Sequence, residues 1–270
     1  MNCNFGDFYC LCLLKKNKNF RPLKPLSKSK IITNLILLIL FLILFCYCSF
    51  SISAYHFDFS AIATYKEKFL QGFLNTLIIS FFSLLLSIIL GGVFCAFSLS
   101  SIVFLRFLST FYIELVRGTP LLVQVLLIYY IIANNLGLDN RYVAGVIILS
   151  CFSAAYLAEI FRAGILSISI SQLESARALG LKEMQVFAYV IFPQALKNIL
   201  APLSGQFANL IKDSSLLSVI AVNELTQSAQ EINSYTFATL EAYVILAITY
   251  LVLTLPISIF SRYLERKCQK

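Results

Sequence analysis

Charged side chains deep in an apolar run are the first candidates for chemistry in this sequence. Lys212 and Asp213 are adjacent opposite charges within such a run, and the hydroxyl residues Ser214 and Ser215 follow them. Ionisable groups within a membrane are costly and are candidate functional groups by default. We therefore expect a substrate pathway here; a structural charge pair, at a helix break or at the outer end of a helix, is the alternative.

Two acid–base pairs have the spacing of neighbours on one helix face. Glu114 precedes Arg117 by three residues, and Glu159 precedes Arg162 by the same interval. Side chains at this spacing can form ion pairs along a helix. Because both pairs flank apolar runs on the side predicted to be cytoplasmic, we predict that they brace or gate the molecule rather than bind a ligand.

Residues for metal, nucleophilic or nucleotide chemistry are sparse. The one histidine, His56, lies in a polar segment where we expect it to be solvated, and the eight cysteines lack metal-ligand spacing. A membrane-bound enzyme would need a nucleophile or a metal cluster. None of the ten glycines precedes a lysine, so the sequence contains no phosphate-binding loop. We expect no catalytic residue, no metal site and no cofactor bound by this chain.

The composition defines the elements that must position these residues. Of 270 residues, 59% are hydrophobic and 13% are charged, whereas soluble domains carry about 25% charged residues; the mean hydropathy is +0.85. Apolar runs of about 20 residues recur, and each can cross a hydrocarbon core about 30 Å thick. Uniform apolar runs indicate helices rather than barrel strands. The predicted fold class is all-α and integral to the membrane, which excludes a soluble enzyme and a disordered chain.

Six transmembrane helices are predicted, with both termini cytoplasmic. Seven cations precede residue 31 and four lie in residues 262–270, and basic residues collect on the cytoplasmic side. An amphipathic interfacial helix is expected between residues 106 and 117. The predicted spans cover residues 31–54, 71–98, 120–138, 142–161, 198–222 and 242–261. The resulting organisation is a basic tail at 1–30, a first helix at 31–54, a helical domain at 69–262 with a cytoplasmic loop at 171–193, and a tail at 263–270.

The N-terminal segment allows two further interpretations. Its basic leader could bind nucleic acid, but it directly precedes an apolar stretch, which favours a cytoplasmic tail near anionic lipid and no nucleic-acid partner. The helix at 31–54 could be a cleaved secretory signal, since small residues occur in 51–54. Its apolar part is longer than the 7 to 15 residues that are usual for a signal core, so we predict an additional transmembrane helix.

The polar loop at 171–193 has a regular residue pattern, which indicates short helices rather than an irregular connection. Ser171 and Glu174 have the spacing of a capping box, and Gly180 can take the left-handed conformation that ends a helix. A second short amphipathic helix is predicted before Pro193, which would restart the chain into the next span. Its apolar residues recur at i, i+3, i+4 and i+7: Met184, Phe187, Ala188 and Ile191. The pattern fits a knob that docks on another protein and fits equally a helical hairpin lying on lipid.

The same loop resembles the signature of ABC importer permeases. That signature reads Glu-Ala-Ala, three residues, Gly, nine residues, Ile-x-Leu-Pro. The matching residues here are Glu174, Ser175, Ala176, Gly180, Val190, Phe192 and Pro193. Ser175, Val190 and Phe192 depart from the signature, but they keep a small residue and two apolar ones. The resemblance implies that these residues couple the chain to a separate ATPase.

Four further blocks resemble the branch of these permeases that carries polar amino acids, in the same order and over about residues 70 to 265. They begin at Glu114, Ala158, Lys212 and Glu224. The family has a core of five spans, so the helix at 31–54 would be an addition. The resemblance implies an importer in the bacterial cytoplasmic membrane, with two copies of an ATP-binding subunit that use ATP and Mg²⁺, a second permease subunit, identical or not, and an external solute-binding protein. An ion-coupled secondary transporter or a channel is the alternative, but it would need carboxylates in several spans, and only Asp213 is present.

Overall fold

The computed structural model describes residues 34, 36–43, 46, 57–133, 137 and 140–268. The chain divides into two units, Met1–His56 and Phe57–Lys270. In the first unit, residues 36–43 are helical with exposed side chains. The predicted tail at 1–30, most of the predicted helix at 31–54, and His56 lie outside the described residues. The helices and sites described below all lie in the second unit.

The described part of the second unit consists of helices joined by short turns. Four helices carry most of its length: α2 (Lys66–Ser98), α5 (Arg141–Leu166), α8 (Phe192–Asp213) and α10 (Thr239–Cys268). The shorter helices are α1 (Ser60–Ala63), α3 (Val103–Arg117), α4 (Leu121–Leu127), α6 (Ile170–Ala178), α7 (Glu183–Val186) and α9 (Leu225–Thr236). π-helical turns at Ile128–Ala133 and Phe187–Ile191 and a 3-10 helix at Ser214–Ile220 complete it.

Four of the helical stretches described are long and apolar enough to cross a membrane, and a bent pair would make a fifth. The four cover Lys66–Ser98, Arg141–Leu166, Glu183–Ile220 and Thr239–Glu265. The fifth joins α3 to the α4 stretch through a bend of 106°. The prediction of an apolar helical membrane fold is thus confirmed, with four to five spans in the described part of the chain.

Small residues bring α2 and α5 into close contact. Ser83 Oγ donates a hydrogen bond to the Val146 carbonyl at 3.3 Å, and Ser150 Oγ donates one to the Ser83 carbonyl at 3.3 Å. A Cβ built on Gly91 would lie 2.8 Å from the Leu157 Cβ. Close backbone approach through small residues, with hydroxyls bonding across the contact, is the usual way in which membrane helices associate. The α2–α5 pair is therefore the rigid centre against which the other elements are placed.

The 3-10 segment after α8 packs inside the bundle. Leu217 and Ile220 are buried in one apolar cluster with Ile79 of α2 and Ile148 of α5. Gly145 makes room for this segment, because a Cβ there would lie 2.8 Å from the Leu217 Cδ1. The predicted span at 198–222 therefore ends in a tightly wound segment that contacts the two central helices.

Candidate coupling loop and transport pathway

The first short helix of the loop begins two residues earlier than the capping-box pattern predicts. Helix α6 starts at Ile170, and Ser169, which has extended dihedrals, is its N-cap residue. Ser171 is therefore already helical, and its carbonyl accepts a hydrogen bond from Ser175 Oγ at 2.8 Å. The predicted cap at Ser171 is wrong because the extended conformation of Ser169 fixes the start of the helix. Glu174 is exposed on this helix.

Gly180 ends α6 in the predicted left-handed conformation, with φ of +81°. The Gly180 N–H donates to the Arg177 carbonyl at 2.9 Å, and the Leu181 N–H donates to the Ala176 carbonyl at 3.3 Å. These two bonds form the closing pattern of a helix C-terminus that requires a left-handed residue. The predicted joint at Gly180 is confirmed.

An ion pair spans this joint. Arg177 Nε and Nη2 donate to the two carboxylate oxygens of Glu183 at 2.8 and 3.1 Å. The hydrogen bond to Glu183 raises the pKa of the Arg177 guanidinium above its ordinary value. The last turn of α6 and the first turn of α7 are therefore held together by a fork-shaped contact of fixed geometry.

The second half of the loop differs from its prediction. The buried side chain is Val186, which is 1% exposed, whereas Met184 is 79% exposed and Phe187 45% exposed. The prediction of one continuous α-helix is wrong, because α7 ends at Val186 and widens into the π-helical turn at Phe187–Ile191, where one extra residue per turn breaks the 3.6-residue period. Pro193 lies in the first turn of α8, as predicted.

Large apolar side chains project from the loop into solvent. Leu179 is 82% exposed, Met184 79% and Tyr189 72%. A cavity of about 410 Å³ lies beside Leu179, lined in part by Ser175, Ala176 and Val190. Exposed apolar groups with a polar rim mark surfaces that bind another molecule. The loop thus exposes apolar side chains, which both a docking knob and a hairpin lying on lipid require.

The charges at 212–213 lie at a break in the helix. Helix α8 ends at Asp213, and the 3-10 segment begins at Ser214. Lys212 is exposed and Asp213 half-buried, and no ion pair within 4 Å joins these two described residues. Ser214 is buried and donates to the Ile211 carbonyl at 2.8 Å, while Ser215 is half-buried. The two charges therefore stand at a change of helix type with no close ion pair between them.

Of the two predicted brace pairs, one forms as its spacing predicts and the other does not. Glu159 and Arg162 form a two-pronged ion pair, with both bonds at 2.9 Å. Arg117 approaches Glu159 at 3.9 Å and lies over the Tyr156 ring. Glu114 makes no ion pair within 4 Å with any residue that the structure describes. Arg117 therefore connects α3 to α5 instead of pairing with Glu114 along its own helix.

Gln124 holds the sharp bend between α3 and α4, a role that the sequence interpretation missed. Its Nε2 donates to the Val116 carbonyl at 2.7 Å and to Thr119 Oγ1 at 2.7 Å. Pro120 is the N-cap of α4, so the helix begins at Leu121, one residue later than predicted. The signal was a glutamine in the first half of the apolar run at 120–138, to which the sequence interpretation assigned no partner.

Glu224 is a second residue whose place was missed. Its carboxylate is fully buried and accepts hydrogen bonds from the Thr226 and Gln227 N–H groups at 2.9 and 2.7 Å. The Tyr250 hydroxyl of α10 donates to it at 2.9 Å. Glu224 therefore caps α9 and ties that helix to α10.

At the end of α2 opposite to the loop, Glu231 of α9 pairs with Lys68. Tyr235 lies against the same ammonium, with the Lys68 Nζ 5.1 Å from the ring centroid. The hydrogen bond from Lys68 holds the pKa of Glu231 below its ordinary value. This contact fastens α9 to the start of α2.

The family model for the binding-protein-dependent transport system inner membrane component matches residues 83–270. This chain belongs to that family, a transport component whose ATPase is a separate subunit. The resemblance of the loop to the ABC importer permeases is thereby confirmed.

Two relatives with similar sequences are named as glutamine transporter permeases. The probable glutamine ABC transporter permease protein GlnM of Bacillus subtilis is 37% identical over 205 residues, which cover 76% of this chain and 94% of the relative. The glutamine transport system permease protein GlnP of Escherichia coli is 43% identical over 159 residues, which cover 58% of this chain and 72% of the relative.

Two solved structures share the fold. The crystal structure of an amino acid ABC transporter with histidines superposes with a TM-score of 0.73 and 38% identity, over 79% of this chain and all of that one. The inward-facing MetNI methionine ABC transporter superposes with a TM-score of 0.61 at 16% identity, over 74% of this chain and 98% of that one. At that identity the second likeness shows the fold alone.

Proposed function

We propose that this chain is the membrane-spanning subunit of an ATP-driven importer of polar amino acids, and that its 171–193 loop docks on a separate ATPase. The proposal rests on one observation: two short helices are joined at Gly180 and project apolar side chains from the surface. Relatives named for glutamine and arginine transport support the substrate class.

Docking would seat Leu179 and Met184 in a groove of the ATPase, where burial of apolar surface drives association. The matched signature residues Glu174, Ser175, Ala176, Gly180, Val190 and Pro193 would shape this contact. The ATPase subunits, two copies, would bind ATP and Mg²⁺, and this chain would bind neither. ATP can change the opening of the pathway only by binding two arrangements of the complex with different affinities.

The docking step is tested by Leu179→Asp. Leu179 is 82% exposed, so the substitution leaves the helical packing intact and places a charge on the surface that must lose water. Phe237→Asp is the matched control, because Phe237 is 85% exposed near the opposite end of the bundle. We expect the tagged ATPase to co-purify with the wild type and with the control but not with Leu179→Asp. Equal recovery with all three would overturn the docking surface.

The complex would contain a second permease subunit, because a single docking loop per chain requires two chains for two ATPases. An external solute-binding protein would deliver the amino acid. The whole would lie in the bacterial cytoplasmic membrane, with both termini and the 171–193 loop inside and the 31–54 helix added before a 69–262 permease domain. Reporter fusions at each terminus test this orientation, and an active external reporter at either would contradict it.

The substrate pathway would include Lys212, Asp213, Ser214 and Ser215. Two charges at a helix break that form no close ion pair with each other can exchange water for the carboxylate and ammonium of an amino acid. Lys212→Met tests this, with Lys197→Met, an exposed lysine of the same helix, as control. We expect Lys212→Met to raise the KM for uptake by about tenfold, and an unchanged KM would exclude Lys212 from the pathway.

The gate at the inner end would consist of Glu114, Arg117, Glu159 and Arg162. The contact between Arg117 and Glu159 links α3 to α5 at 3.9 Å, a separation that a small helix movement could shorten or break. Glu159 also pairs with Arg162, so all three charges must be reversed together. The triple variant Arg117→Glu, Glu159→Arg and Arg162→Glu should restore part of the uptake that Arg117→Glu removes. Failure of the triple variant to exceed Arg117→Glu would remove the gate role from this contact.

A further inference from the structure

A polar cavity of about 330 Å³ lies between the C-terminal ends of α2 and α5 and the length of α3. It is lined by Arg106, Thr110 and Glu114 of α3 and by Glu159 and Arg162 of α5. Glu159 and Arg162 lie in the last two turns of α5, which ends four residues before α6. The cavity is therefore at the same end of the bundle as the coupling loop.

The charges that line this cavity are of two kinds. Glu159 and Arg162 neutralise each other through their two bonds at 2.9 Å. Arg106 donates only to the Ser100 carbonyl, at 3.1 Å, and neither Arg106 nor Glu114 forms an ion pair within 4 Å in the described part of the chain. The cavity thus holds one guanidinium and one carboxylate that form no ion pair, beside a Glu159–Arg162 pair that Arg117 approaches at 3.9 Å.

Arg106 and Glu114 do not pair because of their spacing. Eight residues separate them on α3, which is about 12 Å along a helix axis, whereas side chains must be three or four residues apart to meet. Thr110 lies midway between them on the same face. The Arg106 guanidinium and the Glu114 carboxylate therefore line one cavity from opposite ends. A ligand that carries both a carboxylate and an ammonium would pair with both side chains.

We propose that this cavity is an exit subsite for a free amino acid, with the ligand carboxylate on Arg106 and its ammonium on Glu114. The inference rests on the proposed function and extends it, because it names a second site on the side where the substrate is released. A volume of about 330 Å³ is at the low end for small-molecule pockets and suits one small amino acid with a few waters. Amino acid that accumulates inside occupies this subsite and slows the next transport cycle.

The test uses the complete transporter in vesicles that contain ATP, with the binding protein and labelled L-glutamine outside. Unlabelled L-glutamine is placed inside at increasing concentration, and both the initial uptake and the ATP hydrolysis rates are measured. Phosphatidylcholine and phosphatidylglycerol form the membrane, so that no lipid headgroup offers a primary ammonium. N-acetyl-L-glutamine and L-glutamine methyl ester, each lacking one of the two charges, are the comparison ligands.

We expect internal L-glutamine to slow both rates and the two blocked analogues to slow neither. Arg106→Gln removes the guanidinium that would bind the ligand carboxylate, at a residue outside the proposed gate, and should raise the half-inhibitory concentration by about tenfold. Lys66→Gln, at an exposed cation at the other end of the bundle, should leave it unchanged. Active wild-type uptake without inhibition, or equal inhibition of wild type and Arg106→Gln, overturns the subsite. Absence of wild-type uptake overturns the proposed function instead, and the subsite with it.

Discussion

The guanidinium of Arg177 and the carboxylate of Glu183 close over the Gly180 turn through two hydrogen bonds, at 2.8 and 3.1 Å. The turn is thus determined twice, by the left-handed φ of +81° at Gly180 and by an ion pair between its flanking helices. A joint held in this way transmits a push on one helix to the other. This relationship supports the mechanical role that we propose for the loop.

Gly180→Val should leave the protein inserted and folded but abolish uptake and its coupling to ATP hydrolysis. No atom lies within 4 Å of a Cβ built at this glycine, so the cost is backbone strain, which is large for a β-branched residue at positive φ. Uptake and stimulated ATP hydrolysis in vesicles measure the effect. Gly180→Asn is the control, because asparagine tolerates this conformation, and it should retain most of the activity. Normal transport by Gly180→Val would contradict the jointed-helix account.

Gly91→Ala and Gly92→Ala should change stability in opposite directions. The Gly91 Cβ would lie 2.8 Å from the Leu157 Cβ and 3.1 Å from the Ala154 carbonyl oxygen, and such overpacking costs about 1–3 kcal/mol. A Cβ on Gly92 meets nothing within 4 Å, and alanine is a better helix former by about 1 kcal/mol. Thermal unfolding in detergent measures both. Equal Tm values for the two variants would mean that α2 and α5 do not meet at Gly91.

Gln124→Leu should loosen the bend between α3 and α4. The substitution leaves the Val116 carbonyl without the donor that bonds it at 2.7 Å, and an unsatisfied buried group costs about 1–3 kcal/mol. Proteolytic or cross-linking access at residues 118–120 should increase, and uptake should fall. Gln71→Leu, an exposed glutamine of α2, serves as the comparison, and identical access in both variants would remove the role of Gln124.

Glu231 should make stability depend on pH at the acid end. Its pKa is lowered in the folded protein by the hydrogen bond from Lys68, while an unfolded glutamate has a pKa of about 4.3. The carboxylate therefore stabilises the fold fully above the unfolded pKa, and this contribution is lost as the pH falls through the lower folded pKa.

The Tm difference between wild type and Glu231→Gln should accordingly be largest near neutral pH and vanish in acid. Glu67→Gln, at a neighbouring exposed glutamate, is the reference substitution. A Tm difference that persists unchanged into acid would show that the Lys68 contact contributes nothing through charge.

Sequence reasoning located those features that depend on local chemistry. The left-handed glycine at 180, the proline in the first turn of α8 and the apolar spans are each dictated by neighbouring residues or by span composition. Sequence reasoning failed where the tertiary structure decides the local conformation. A π-helical turn at Phe187–Ile191 follows α7, and the buried side chain there is Val186. No local sequence pattern predicts this turn. The Arg117 contact with Glu159 needs the packing of α3 on α5, which spacing along one helix cannot supply.

Reconstitution with and without the separate ATPase tests the central claim most directly. The purified chain and its second permease subunit are placed in vesicles with the binding protein and labelled L-glutamine outside and ATP inside. Uphill uptake should require the ATPase and should disappear with Leu179→Asp while persisting with Phe237→Asp. Uphill uptake at full rate in the absence of any ATPase would contradict the account.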